Sequence, residues 1–388
     1  MNSMRLPFFP AAIPWCAQRA MRAAILAAGS VFAAVPTEPT FPGADWERVR
    51  PADLAAYGWD AAKLADTRAH LRDHMHTTGL VVVDRGRVVF TFGDVEELSY
   101  LASARKSVLA MLYGRWVKNG AINLDATLEQ LGLDDIGGLL PAEKQARVRD
   151  LITARSGVYH AASNSGDDLA SAPPRGSQAP GAYMLYNNWD FNAAGAAFEL
   201  LTKRNIYDEV EEQLARPLGF QDWNRAAQRK SGNLSVSKNP AYHLWLSTRD
   251  MARLGWLMLN EGNWNGTPVV DREWARAIVR VVTPLAEINP ARRRAGYLGY
   301  GCMWWVWDGP TAMGPFKGAY TARGAIGQWI TVLPAAGLVI AHKTNSAYER
   351  TTSTDSYEKL LELLLTARGL EPAGDWPWQR ARPAAGTP

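Results

Sequence analysis

The chain has 388 residues, 47% of them hydrophobic, which is enough to bury a sizeable core and makes disorder a poor default. Its 42 basic and 38 acidic side chains leave a net charge of +4, without the concentrated positive field that a nucleic-acid partner requires. Two cysteines, Cys16 and Cys302, are too few for a disulfide framework.

Taken in chain order, the first signal is Arg19 and Arg22 ahead of a weakly apolar stretch that ends at Ala34. It reads as a secretory signal peptide over residues 1–34, with cleavage after Ala33, because Val31 and Ala33 suit the small pockets of a signal peptidase. A periplasmic or secreted location is therefore expected, with Cys302 left alone. No later apolar run approaches the length of about 18 residues that a membrane span needs, so none is expected in the mature chain.

Apolar residues then recur at helical spacing from 59 to 75 (Leu64, Ala69, Leu71), and Gly79 follows as a stop. The β-branched runs 80–83 and 88–90 bracket Asp84-Arg85-Gly86-Arg87, which predicts a hairpin. Helical patterns follow over 108–116, 146–154, 192–202 and 207–214. Strands return over 301–307, 329–333 and 338–344, and a helix over 356–367 closes the body. The expected fold is α+β: an antiparallel sheet flanked by helices, with an inserted all-helical subdomain. Residues 35–102 and 240–368 would build the sheet subdomain, 103–239 the helical one, and the joint between them a cleft. The remainder, 369–388, reads as a loose tail whose Trp376 and Trp378 are candidates to dock on the body.

Neither a Gly-x-Ser-x-Gly elbow nor a phosphate-binding glycine loop is present. The sequence does contain Ser103-Ala104-Arg105-Lys106 ahead of an apolar helical stretch. Residues three apart share a helix face, so Lys106 reaches the oxygen of Ser103 while Arg105 points away. At the helix start, backbone amides and the dipole stabilise an oxyanion, and a buried lysine can lose its proton and act as a base. Two other Ser-x-x-Lys runs, at Ser235 and Ser356, have plainer readings, since Pro240 interrupts the first and the second lies in the closing helix. His74 and His76 read as a helix end rather than a metal site. Arg292-Arg293-Arg294 reads as a solvated loop.

Downstream stands Tyr186-Asn187-Asn188. Ser-x-x-Lys followed by Tyr-x-Asn resembles the serine β-lactamase and penicillin-binding-protein superfamily, in its branch of class C β-lactamases, D-Ala-D-Ala carboxypeptidases, esterases and the 6-aminohexanoate-dimer hydrolase. The resemblance extends to Leu151 to Val158, Arg216 to Gly219 and Ser247 to Gly255, and covers roughly residues 60 to 368. It implies Ser103 as nucleophile, with Lys106 and Tyr186 moving its proton. Tyr186 suits that role if a neighbouring cation holds its phenol near ionisation, and Asn188 offers an amide to a substrate carbonyl and to Lys106.

The family's third element, Lys-Thr-Gly or His-x-Gly on a strand, often with a further glycine three residues on, is resembled by Ala322-Arg323-Gly324-Ala325-Ile326-Gly327, with both glycines in place. Ala322 stands at the expected cation position, which puts carboxylate recognition in doubt. Strand neighbours face opposite ways, so Arg323 would need a bulge or twist to enter the cleft, and a surface arginine is the expectation. The amide of Ala325 is the candidate to complete an oxyanion hole with that of Ser103. Lys343-Thr344-Asn345, at the end of the next strand, reads as a decoy. Of Trp189, Trp245, Trp304, Trp305, Trp307 and Trp329, any two facing the cleft would favour an apolar acyl or alcohol group.

The expected function is hydrolysis of a small-molecule ester or linear amide through an acyl-enzyme, with no metal or organic cofactor. The alternatives are a β-lactamase or D-Ala-D-Ala carboxypeptidase, and a weakly catalytic or non-catalytic penicillin-binding sensor module.

Overall fold

The valine-rich runs form a hairpin as expected in the computed structural model, which describes residues 39–381. The signal peptide and its cleavage point lie outside these residues, as does the end of the tail. Helix α1 (Ala61–His74) begins at Asp60, whose carboxylate accepts from the amides of Ala62 and Lys63 and so satisfies two exposed donors. Strands β1 (Gly79–Asp84) and β2 (Arg87–Gly93) follow. Arg85 and Gly86 between them both have positive φ, 51° and 85°, as a two-residue turn needs to match the twist of its strands.

The chain then builds α2 (Arg105–Lys118), α3 (Asn188–Thr202) and α4 (Thr248–Leu259) before it returns to the sheet. The late strands are β3 (Leu298–Tyr300), β4 (Trp305–Trp307), β5 (Tyr320–Gly324), β6 (Gln328–Leu333) and β7 (Leu338–Lys343). They join the hairpin in one antiparallel sheet of order β2-β1-β7-β6-β5-β4-β3, and α5 (Thr354–Ala367) follows. The fold is α+β, with the two chain ends contributing neighbouring strands β1 and β7.

Helices cover both faces. On one, α4 lies so close to the sheet that a Cβ at Gly255 would come within 2.4 Å of Val339 Cγ1 and 3.0 Å of Ile330 Cγ2, so glycine permits the approach. On the other, Tyr357 of α5 stacks on Trp329 at 4.1 Å, and its hydroxyl bonds Thr331 Oγ1 at 2.7 Å. Ile330 thus faces α4, and Trp329 and Thr331 face α5, as alternation along β6 requires. Trp378 docks as well: it is buried, and its indole donates to Glu362 Oε1 at 2.8 Å.

Three element readings need correction. The stretch 301–307 is not one strand: residues 301–304 form a bend, and only Trp305–Trp307 are a strand, with Trp305 turning back to pair with Tyr300. Gly301 marks the bend, because a Cβ there would lie 2.6 Å from the carbonyl oxygen of Ile278. Helix α3 starts at Asn188, not 192, since the Asn187 side chain caps it by accepting from the amide of Trp189. The helix over 207–214 begins at Ile206 and passes into a π turn at Glu211–Ala215. Among the described residues no helix is long and apolar enough to cross a membrane.

Candidate active site

Ser103 sits in the 3-10 turn Ala102–Ala104 that opens into α2. The turn is held in an unfavourable shape, because Ala102 has φ 47°, a region that costs side chains with a Cβ roughly 1–3 kcal/mol. Two contacts hold it. Arg105 Nη1 donates to the Ala102 carbonyl at 3.1 Å, and β5 presses against the turn at Gly324. A Cβ at 324 would lie 2.6 Å from the Leu101 carbonyl oxygen and 3.1 Å from Ala102 Cβ, so the motif glycine lets the strand reach the serine.

Lys106, three residues after Ser103 in the first turn of α2, is completely buried, and its Nζ lies 3.1 Å from Ser103 Oγ, 2.6 Å from Tyr186 OH and 2.6 Å from Asn188 Oδ1. Burial pushes its pKa well below the ordinary lysine value, and the charge of Arg105 pushes the same way. A neutral amine has two N–H groups and one lone pair. Asn188 Nδ2 donates to the Ser165 carbonyl at 2.9 Å, which turns Oδ1 toward Lys106 and uses one N–H. One donor and one lone pair then remain for Ser103 and Tyr186, the arrangement a proton relay needs. Asn188 thereby orients the lysine through Oδ1.

Tyr186 departs from the expectation of a phenol held near ionisation. Its pKa is raised, because burial outweighs its hydrogen bond to Ser103 and the charges of Arg105, Arg293 and Arg323. The raised pKa favours the protonated phenol, the form a general acid requires.

Ser103, Tyr186, Arg323, Gly324 and Ala325 share the lining of one cavity of about 290 Å³. Ala322 is fully buried opposite Ile330, on the α4 side of the sheet, and leaves the cleft to its neighbour. The expectation that Arg323 is a surface arginine is therefore corrected: it lines the cleft without any bulge in its pairing, half-buried, with Nη2 donating to Thr354 Oγ1. The face that reaches this cavity is the one carrying Arg323.

Beyond Ala325 the chain turns through Ile326 at φ 74° and Gly327 at φ 120°. The first is a strained conformation for a β-branched residue. The Thr352 amide donates to Ile326 O and the Thr344 amide to Gly327 O, and His342 Nδ1 lies 2.9 Å from Gly327 O. Burial lowers the His342 pKa to about 4, so the ring is neutral, donates Nδ1–H to that carbonyl and accepts from Thr77 Oγ1 at 2.8 Å. His342, Thr344 and Thr352 thus fix the turn that presents Ala325. Sequence reasoning did not single them out for this, since their spacing shows only that one strand ends near a polar loop.

Two of the six tryptophans, Trp305 and Trp329, line the cavity with Ser103. Arg293 lines it too, so in the run Arg292-Arg293-Arg294 the solvated-loop reading holds for the exposed Arg292 and Arg294 and is corrected for Arg293. Arg292 and Arg293 both pair with the buried carboxylate of Asp168, and the Arg293 guanidinium lies 5.8 Å from the Tyr186 ring centre. The signal was available only in three dimensions, because Asp168 lies far back in the sequence.

Lys343 is buried outside this cavity, with Nζ donating to the carbonyls of Ser99, at 2.9 Å, and Leu246. Two acceptors suit a neutral amine, and burial brings its pKa from 10.5 down to about 7. Between those values the unfolded chain holds a proton that the folded one lacks, so stability rises with pH through the window; below about 7 both states are charged and the gain is lost. Chemical denaturation of the wild-type protein and Lys343→Met at pH 7 and pH 9 should show the wild type gaining on the variant by up to about 1.4 kcal/mol per pH unit. A difference that does not change with pH would contradict this.

Comparison with known proteins adds the family context. A family model described as Beta-lactamase matches residues 61–364. An uncharacterized protein of Alkalihalophilus pseudofirmus is 22% identical over 273 residues, 64% of this chain and 73% of that protein. Among solved structures, a protein provisionally designated a 6-aminohexanoate-dimer hydrolase, from Bacillus anthracis, superposes with a TM-score of 0.59 at 20% identity, over 78% of this chain and 82% of its own. A class C beta-lactamase variant gives 0.58 at 14% identity, over 79% and 98%. EstCE1, a hydrolase with promiscuous acyltransferase activity, gives 0.56 at 14% identity, also over 79% and 98%. At these identities the structural likenesses show the fold.

Proposed function

The chain belongs to the Beta-lactamase family, and on that footing we propose that it is a serine hydrolase that cleaves an ester or small linear amide through an acyl-enzyme on Ser103. The observation that carries the proposal is the convergence of three groups, with Lys106 Nζ 3.1 Å from Ser103 Oγ and 2.6 Å from Tyr186 OH. The neutral amine of Lys106 takes the Ser103 proton as Oγ attacks the substrate carbonyl carbon. The carbonyl π electrons move to oxygen, where the amides of Ser103 and Ala325 receive the charge. As the intermediate collapses, the bond to the leaving group breaks and Tyr186 OH protonates that group. Lys106 returns the proton to Tyr186. Water then attacks the acyl ester by the same relay in reverse, releasing the acid and restoring Ser103. Trp305 and Trp329 beside Ser103 favour an apolar acyl or alcohol group.

A second reading, a β-lactamase or D-Ala-D-Ala carboxypeptidase, draws support from Arg323 and Arg293, two cations in the same cavity suited to a substrate carboxylate. The readings separate in one experiment: turnover of a panel of nitrophenyl esters and of a penicillin by the wild type, Ser103→Ala and Arg323→Ala. The ester reading expects Ser103-dependent ester hydrolysis, little penicillin turnover and at most a few-fold effect of Arg323→Ala. Penicillin turnover that falls about ten-fold or more in Arg323→Ala would favour the second reading. If neither substrate acylates Ser103, the site is not that of a hydrolase.

A further inference from the structure

We propose that Arg105 is a positioning residue for acylation, its guanidinium clamping the carbonyl behind Ser103 and setting a fixed positive charge inside the wall that holds the lysine base. The inference rests on the Ser103 and Lys106 reading of the site.

Arg105 does point away from Ser103, but into the protein: it is 1% exposed. Nη1 donates to the Ala102 carbonyl at 3.1 Å, Nη2 reaches Asn192 Oδ1 at 3.5 Å, and the guanidinium carbon lies 5.1 Å from the centre of the Tyr242 ring. Its Nε is buried without a hydrogen-bond partner, and among the described residues no carboxylate forms an ion pair with it. A buried charge without a counter-ion is costly, and a plain helix position beside the nucleophile needs none. What the charge does here follows from its neighbours. Its contact with Ala102 O restrains the left-handed residue that sets the approach of Ser103. Its field acts on Lys106, next to it in the chain.

The groups around Lys106 come from every adjoining element. Tyr186, Asn188 and the ring of Phe191, 4.3 Å from Nζ, come from the start of α3 and the residues before it. Asp167 belongs to the preceding loop, where it accepts from the Asn188 amide at 2.8 Å, and Arg293 comes from the arginine loop. Asp167 favours the ammonium form, whereas Arg105 and Arg293 oppose it, Arg105 acting most strongly after burial itself. Without Arg105, the carboxylate of Asp167 would face a weaker opposing charge.

The test compares the wild type, Arg105→Met and Arg105→Lys by two readouts. One is the titration midpoint of Lys106, followed by NMR in protein labelled with ¹³C at lysine Cε and assigned by its loss in Lys106→Arg. The other is the pH dependence of Ser103 labelling by a fluorophosphonate. Arg105→Met should raise the midpoint by about one pH unit and move the acid limb of labelling with it, whereas Arg105→Lys, which keeps the charge, should retain the wild-type midpoint. An unmoved midpoint in Arg105→Met, or equal shifts in both variants, would overturn the inference. If the wild type is never labelled at Ser103, the hydrolase reading fails, and the NMR midpoint still decides whether Arg105 acts on Lys106.

Discussion

Lys106→Ala is expected to lower kcat/KM for a nitrophenyl ester by about a thousand-fold and to remove the acid limb of the pH profile. Among the described residues Lys106 Nζ is the one amine bonded to both Ser103 Oγ and Tyr186 OH, so its loss leaves the serine without a base and the phenol without a proton source. The limb disappears with it, because in the wild type protonation of the buried amine at low pH stops acylation, and the variant has no such group to titrate. The fold should survive. The variant removes a buried polar group, and the orphaned Asn188 Oδ1 and Tyr186 OH cost about 1–3 kcal/mol, which a smaller side chain and an admitted water partly offset. Steady-state kinetics from pH 5 to 9 with parallel thermal melts decide it. A loss under ten-fold, or a retained acid limb, would contradict the relay.

Gly324→Ala should cost about a hundred-fold in kcat with a smaller change in KM. The added methyl would meet the Leu101 carbonyl oxygen at 2.6 Å and Ala102 Cβ at 3.1 Å, both backbone-fixed neighbours of Ser103. Strand and turn must move apart, and the amides of Ser103 and Ala325 move with them out of line with a common oxyanion. Overpacking alone costs about 1–3 kcal/mol of stability, so a control is needed. Gly255→Ala provides it, because its methyl meets Val339 and Ile330 under α4, away from the cavity. That variant should lose comparable stability and keep its kcat. Equal losses of kcat in both would mean that crowding, not oxyanion geometry, explains the effect.

What the sequence made legible divides along physical lines. The hairpin of β1 and β2 and the buried strands β6 and β7 were readable because β-branched runs and a glycine turn encode them locally. Lys106 beside Ser103 was readable from helical spacing, and Tyr186 beside both from the family resemblance that Ser-x-x-Lys followed by Tyr-x-Asn carries. The facing of Arg323 was not: it depends on which side of the sheet meets α4, and that is set by Gly255 and Ile330, far from the motif. Arg293 escaped notice for a similar reason, since its partner Asp168 is distant in sequence and a short run of arginines resembles any solvated loop. The bend at 301–304 that separates β3 from β4 was hidden by tryptophans that pack equally well in a strand or across a bend.

The central claim is that Ser103 is a nucleophile activated by its neighbours, and intact-mass measurement after exposure to a fluorophosphonate tests it most directly. The wild type should gain a single adduct, mapped by peptide sequencing to Ser103, while Ser103→Ala gains none and Lys106→Ala reacts far more slowly. Labelling at another residue, or equal labelling of the wild type and Ser103→Ala, would contradict the account.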